Sequence, residues 1–250
     1  MNGLHIFGVP GLPEIEREAD LPKLIVDASS AAGAPLASGD VIVITSKIVS
    51  KAEGRTVELA DVEVSPFARQ YAEQWEKEPA VIELVLREAR RVVRQVGPVL
   101  ITETHQGFVC ANSGVDQSSS GAHGRAVLLP VDPDGSARRF RERFRELGFD
   151  VVVIISDTFG RPWREAQTDV AIGIAGMDPV VSYIGQVDPH GHEFRVQAVC
   201  AADELAAAAE LVKGNVSRIP VAVIRGHQWE PDEDASMKSI IRDSANDIFR

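Results

Sequence analysis

The sequence predicts an α+β protein built from mixed sheets with flanking helices, and three observations lead there. Val151 to Ile155 form an unbroken run of β-branched apolar residues, the mark of a strand buried on both faces. Helix-start signals, in which Asp, Ser or Glu precedes apolar residues at helical spacing, punctuate the chain. Strands and helices nevertheless follow one another without the regular strand–helix–strand rhythm of a doubly wound sheet.

Taken in order, residues 3–9 read as a short strand ending in the loop Val9-Pro10-Gly11-Leu12-Pro13. Asp20 suits the N-cap of a helix through Leu24, Ile25 and Ala28 that stops near Gly33. Gly39-Asp40 precedes a strand, Val41 to Ile44, which ends at Thr45-Ser46-Lys47. Ser65-Pro66 opens one helix by the cap-then-proline rule, and Glu78-Pro79 opens another expected to reach about Gln95. Strand-like pieces recur at 98–103, 107–111 and 126–129, with a polar Gly- and Ser-rich stretch between the last two that carries Asp116. Pro133-Asp134-Gly135 reads as a turn, with Ser136 capping an Arg-rich helix on which Phe140 and Phe144 share a face.

The central strand is expected to stop at Ser156-Asp157-Thr158, after which Gly160 and Pro162 turn the chain and leave Arg161 and Arg164 as anion partners. Further strands are expected near 169–175, 180–184 and 193–199. A helix from about Ala201 to Lys213 ends at Gly214, where a left-handed cap fits. A strand over 219–224 leads to Arg225-Gly226-His227. Ser236 then caps a last helix presenting Met237, Ile240, Ile241, Ala245 and Ile248 on one face.

Composition narrows the function. The 250 residues carry a formal charge of −11, which argues against nucleic acid as a partner because phosphate backbones need a basic face. No apolar run is long enough to cross a bilayer and the N-terminus lacks the pattern of a secretory signal, so a cytoplasmic location is expected. Cys110 and Cys200 lack metal-type spacing and read as buried thiols. The phosphate-loop, dinucleotide, nucleophile-elbow and His-Glu-x-x-His motifs are absent. Of the scattered histidines, His190-Gly191-His192 resembles a zinc pair, but beside Asp188-Pro189 it reads as a solvated turn.

What remains is a set of polar groups at strand ends: Ser46-Lys47 with Lys51, Asn112 to Asp116, and Asp157-Thr158. Asp157 and Thr158 are hard oxygen donors of the kind Mg²⁺ or Mn²⁺ takes, and side by side both can reach one cation. Read instead as turn formers, they only cap the following loop. Carboxylates, hydroxyls and lysines together are the inventory for holding a metal–triphosphate.

The same elements resemble, in order, the coenzyme F-420:L-glutamate ligase family, also called F-420-0:γ-glutamyl ligase. The resemblance rests on Gly11-Leu12-Pro13, Gly39-Asp40-Val41, Ser50-Lys51-Ala52-Glu53-Gly54-Arg55 and Thr104 through Asp116. It continues through Asp132-Pro133-Asp134-Gly135-Ser136, Asp157-Thr158-Phe159-Gly160-Arg161, Ala171 to Gly176, Ala202-Asp203-Glu204, Ile219-Pro220-Val221 and Arg225-Gly226. It spans nearly the whole chain.

That resemblance implies a GTP-dependent, amide-forming ligase that needs Mg²⁺ or Mn²⁺ at two sites, assisted by K⁺. L-glutamate and a deazaflavin F-420 precursor would be its substrates. It also implies two closely packed subdomains within one ligase domain over 1–250, and an intertwined homodimer. No fused reductase domain is expected, since the chain ends at Arg250. Carried over by position, Pro10, Gly11, Leu12 and Pro13 form a nucleotide loop, and Ser46, Lys47, Lys51, Ser119, Gly214 and Asn215 contact GTP. Asp116 and Asp157 ligate a first metal; Thr158 and Asn215 ligate a second. Asn215 stands where the family carries a longer Glu or Gln, Ser119 where some members carry Asn, and Lys47 where small hydroxyl residues also occur. Two other readings use the same residues: a nucleotide-binding module without catalysis, and a metal phosphohydrolase built on Asp116 and Asp157.

Overall fold

A computed structural model describes residues 3–117 and 124–247; Ser119 and Ile248 lie outside the described residues. Along the chain come His5–Gly8 (β1), Leu21–Ala31 (α1), Val41–Thr45 (β2), Ser46–Ala52 (α2) and Thr56–Glu58 (β3). Pro66–Trp75 (α3) and Pro79–Glu88 (α4) precede Ala89–Val96 (β4), Val99–Thr104 (β5), Val109–Ala111 (β6) and Arg125–Val127 (β7). Pro133–Glu146 (α5) leads to Val152–Arg161 (β8), Arg164–Met177 (β9), Val180–Ser182 (β10) and Ala198–Cys200 (β11). Ala201–Lys213 (α6), Val221–Arg225 (β12) and Pro231–Asp232 (β13) complete the order. The mixed sheets and helices are those of an α+β fold.

The main sheet runs β1-β12-β2-β8-β9-β13, with β2 and β8 parallel and every other pair antiparallel. Strand alternation sorts its side chains into two cores. Ile42, Ile44, Val153, Ile155, Val221 and Val223 pack toward α1, α2 and α5. Val41, Val43, Val152, Ile154, Ala222 and Ile224 pack toward α6. The apolar run from Val151 to Ile155 is thus buried on both faces, as its composition predicts. Smaller cores join α3, α4 and β5, and Leu84 with Ala126 and Leu128.

Capping chemistry explains several helix starts. The Asp20 carboxylate accepts the Lys23 N–H at 3.2 Å, and Ser65 Oγ accepts that of Ala68 at 3.3 Å. Helix α5 departs from expectation: Pro133 is its first residue and Asp132 holds the cap position, so Pro133-Asp134-Gly135 is the first helical turn. Ser136 lies inside that turn, where its hydroxyl bonds Glu53 and the Asp132 carbonyl. Asp134 accepts the N–H groups of Ile174 and Met237 and the Ser236 hydroxyl.

That pinning also breaks up the last helix. Ser236 does cap, through the Lys238 N–H, but the expected helix is broken into two 3₁₀ turns, Met237–Ile240 and Ser244–Asn246, because its first residues are tied to α5. The helix expected from Glu78 to Gln95 likewise ends at Glu88. Ala89–Val96 pairs with β5 around a Gly97-Pro98 turn, because Val92, Val93 and Val96 suit a ladder with cross-strand partners better than a helix. The central strand does not stop at Thr158 but continues to Arg161, held by the facing strand β9. Arg161 and Arg164 are paired across that exposed hairpin tip and face solvent. The strand expected over 193–199 shrinks to β11, and Gly214 (φ +59°, ψ 160°) ends α6 outside the left-handed helical region.

The approach of α5 to β9 is close. A Cβ added at Gly173 would lie 2.5 Å from the Pro133 carbonyl carbon and oxygen. Backbone cannot yield as a flexible side chain can, so Gly173→Ala is expected to destabilise by about 1–3 kcal/mol through overpacking. Thermal denaturation measures this, and an unchanged midpoint would mean α5 sits further from the sheet.

Candidate active site at the carboxyl end of the parallel strands

Strands β2 and β8 are parallel and end side by side, Thr45 against Ser156, so the residues that follow each emerge at one edge of the sheet. Strand-end loops at such an edge are the usual place for ligand sites in sheets with parallel strands. Strand β12 starts at the same edge, where Thr45 N–H bonds the Pro220 carbonyl and Val9 N–H bonds that of Val221. The loop Pro10-Gly11-Leu12-Pro13 therefore leaves β1 here, with Gly11 at φ +83°, a backbone angle that favours glycine. Helix α6 ends here too, bringing Lys213, Gly214 and Asn215. Pro10, Gly11, Pro13, Gly214 and Asn215 are exposed.

Strand β8 divides this edge into two faces. Successive strand residues point to opposite sides, so Asp157 follows Ile155 toward α2 while Ser156 and Thr158 follow Ile154 toward α6. The expectation that Asp157 and Thr158 address one cation from adjacent positions is corrected by this alternation.

On the α2 face, Ser46 Oγ donates to Asp157 Oδ1 at 2.7 Å. Lys47, the next residue, places its ammonium 3.0 Å from Asp116, which is held by a two-way backbone bridge to Val127. The same ammonium is near enough to Asp157 to favour its ionised form. Burial opposes this more strongly and, with Ser46, Lys47, Asp169 and the Thr158 N–H also acting, the Asp157 carboxyl is pushed up to about 6. Lys51 pairs with Glu14, just past the Pro10–Pro13 loop.

The α6 face holds residues that the sequence did not single out. Asp169, opposite Thr158 on β9, accepts Thr158 Oγ1 at 2.7 Å and Ser156 Oγ at 2.9 Å. Lys213 donates to Asp169 at 2.7 Å and to Ser156 Oγ at 2.8 Å. Glu210 stands 3.8 Å from that ammonium, and burial together with the Asp169 charge holds its carboxyl above the ordinary range. One sequence signal was available for Lys213: Leu205, Ala209 and Lys213 fall four residues apart on the buried stripe of α6, where a lysine is out of place.

A β-bulge makes the second cluster possible. Register passes from Ile155 opposite Gly173 to Ser156 opposite Ala171, so Ile172 is an extra residue. Without it Asp169 would point toward α2; with it Asp169 faces α6 and meets Lys213.

The donor set bears on metal binding. Asp116 pairs with the Lys47 ammonium at 3.0 Å and the same charge favours ionised Asp157, so one cationic charge acts on both carboxylates, and Ser46 adds a hydroxyl. Among the described residues no three His, Cys, Asp or Glu side chains gather. Two carboxylates suffice for Mg²⁺ or Mn²⁺ when phosphate and water oxygens complete the shell. These residues fit a first divalent ion. On the other face Thr158 already donates to Asp169, and Asn215 is an exposed neutral amide.

Other features are structural. A hollow of about 450 Å³ opens at the opposite end of the sheet, between Gly39-Asp40 and Arg225 to Trp229, but Asp40 already neutralises Arg225 there at 2.7 Å. His190 and His192 are exposed, and both backbone N–H groups donate to Asp188, the turn expected of them. Burial pushes Cys110 up to about 12 and Cys200 up to about 11, which keeps both as unreactive thiols. No helix of the described residues is long and apolar enough to cross a membrane.

Comparison with known proteins agrees with the motifs. A model of the family described as F420-0:Gamma-glutamyl ligase matches residues 11–226. Over 251 residues the chain is 40% identical to the coenzyme F420:L-glutamate ligase of Methanothermobacter thermautotrophicus, covering 99% of each chain. It is 43% identical over 260 residues to that of Methanopyrus kandleri, covering 100% of each. With that of Halobacterium salinarum it shares 39% over 240 residues, 93% of this chain and 90% of the other.

Proposed function

This chain belongs to the F420-0:gamma-glutamyl ligase family, and from that premise we propose that it joins L-glutamate to a deazaflavin F-420 precursor with GTP and a divalent ion. The observation that carries the site is the convergence of charge at the carboxyl end of β2 and β8, where Lys47 is paired with Asp116 at 3.0 Å and its charge also acts on Asp157. Such a convergence answers the need of a triphosphate, whose charge must be offset before a carboxylate can approach it.

A carboxylate is a poor electrophile. In the proposed reaction the precursor carboxylate oxygen attacks the γ-phosphorus of GTP and GDP leaves, giving an acyl phosphate. The glutamate amine then attacks the acyl carbon, inorganic phosphate leaves, and the amine loses a proton as the amide forms. Asp116 and Asp157 would hold Mg²⁺ or Mn²⁺, which would draw charge from the phosphate oxygens. Lys51, paired with Glu14, would bring positive charge beside the Pro10–Pro13 loop, Lys47 would bring it beside Asp116, and Ser46 fixes the Asp157 carboxylate. K⁺ as a helper ion belongs to the same proposal. So does an intertwined homodimer, which would cover the exposed Trp163 of the β8–β9 tip and Ile184, Val187 and Val196 beyond it.

Incubation with the deazaflavin precursor, L-glutamate, GTP and Mn²⁺, read by mass spectrometry, tests the reaction. A glutamyl increment requiring both GTP and metal is the expected result. GTP binding without any increment would favour a non-catalytic nucleotide module instead.

The Asp157 pKa sets a pH dependence. Its folded value, about 6, lies above the ordinary 3.8, so protons compete with a metal ion below about pH 6. Mn²⁺ affinity is expected to fall roughly tenfold per pH unit below that point and to level off above it. Calorimetric titration from pH 5 to 8 measures this; a flat profile would remove Asp157 from the metal's ligands.

A further inference from the structure

The cluster on the α6 face is built like a cation site with its cation already in place. Two hydroxyls, Ser156 and Thr158, and one carboxylate, Asp169, are hard oxygen donors of the kind that hold Mg²⁺ or K⁺. Here Ser156 and Asp169 hold the Lys213 ammonium, and Thr158 joins them through the other Asp169 oxygen. Lys213 and Asp169 each have side chains only 3% exposed, and the ammonium lies 2.7 Å from Asp169 and 2.8 Å from Ser156. Thr158 Oγ1 lies 2.7 Å from the other Asp169 oxygen, so both carboxylate oxygens are committed. Glu210, at 3.8 Å, leans on the same ammonium.

Among the described residues the carboxylates shown beside that ammonium, Asp169 and Glu210, are already paired with it, so a divalent ion beside Thr158 would meet the charge of Lys213. Asn215 is exposed, and its amide brings no negative charge to that face. The two faces are also within electrostatic reach of each other. Asp169 acts on Asp157, and Lys47 acts on Glu210. A fixed positive charge on one face is thus felt on the other.

We propose that Lys213 is a built-in cation that takes the position of a second metal ion beside Thr158, so that the site holds a single divalent ion at Asp116 and Asp157. This rests on reading the site as a metal–nucleotide centre. Lys213 acts as a positioning residue: it fixes Asp169, and through it Thr158, and it supplies standing positive charge at the strand end. The arrangement makes that charge independent of ion supply, because an ammonium anchored on α6 cannot dissociate.

Equilibrium dialysis of the protein against Mn²⁺ and GDP, with metal and nucleotide counted in both chambers, tests this without relying on turnover. The expected count for the unaltered chain is about one bound Mn²⁺ per chain. Two would overturn the proposal, whereas none would overturn it together with the metal reading of Asp116 and Asp157. Replacing the ammonium and restoring a carboxylate, in Lys213→Met with Asn215→Glu, is expected to raise the count to about two. If Lys213 only braces α6 against the sheet, that variant changes the melting temperature and the count stays where it was, which overturns the proposal. Should the double variant fail to fold, the count on the unaltered chain still decides between one ion and two.

Discussion

Asp157→Asn is expected to lower the proposed metal-dependent turnover by about 10²–10³-fold while leaving the folded protein at least as stable as before. The two effects have one origin. Asp157 is surrounded by enough protein that its carboxyl is pushed up to about 6 from 3.8, so the folded state disfavours the charge that a metal ion would need. A carboxyl with a raised folded value binds protons more tightly when folded than when unfolded. Its destabilising effect is absent below about pH 4, grows as pH rises toward 6, and is fully present at neutral pH. Removing the charge should then stabilise by about 1–3 kcal/mol at pH 7 and by nothing at pH 4. Ser46 can still bond the amide oxygen, and Lys47 keeps Asp116 as its partner. Initial rates with GTP and Mn²⁺ and melting curves at the two pH values form the check. Unchanged turnover would remove Asp157 from the site.

Asp169→Ala is expected to have the opposite profile, a large loss of stability. Asp169 and Lys213 are both almost wholly buried, and removing one partner leaves the other charge without compensation. Breaking a buried pair in this way destabilises by about 3–5 kcal/mol. For a chain of this length that corresponds to a melting temperature lower by roughly 10 °C. Removing both charges in Asp169→Ala with Lys213→Met should recover most of the loss, since the ammonium no longer needs a counter-charge. Differential scanning calorimetry of the single and double variants measures the difference. A double variant no more stable than the single one would show that the hydroxyls of Ser156 and Thr158, and not the ammonium, depend on Asp169.

Much of the fold was legible in the sequence because it rests on local rules. Val41 to Ile44 and Val151 to Ile155 are strands because β-branched side chains in unbroken runs suit a sheet covered on both sides. Asp20 and Ser65 mark helix starts because each offers an oxygen to an otherwise unpaired N–H. Where the local rule was ambiguous the reading failed. Ala89–Val96 continues a helical pattern in composition, yet its β-branched residues have partners waiting on β5. Ser236 is a cap, but the helix it announces is broken into two 3₁₀ turns by its tie to Asp134.

The candidate site divides in the same way. The sequence by itself determined the chemistry: acids, hydroxyls and lysines at strand ends, in motifs that place the chain in its family. Only the tertiary structure decided which of them meet. Ser46 and Asp157 are 111 residues apart, and no periodicity reports that distance; the parallel pairing of β2 with β8 does. Alternation along β8 sends Asp157 and Thr158 to opposite faces, and the single extra residue at Ile172 turns Asp169 toward Lys213. Side-chain direction in a sheet depends on register, and register is set by pairing across the fold.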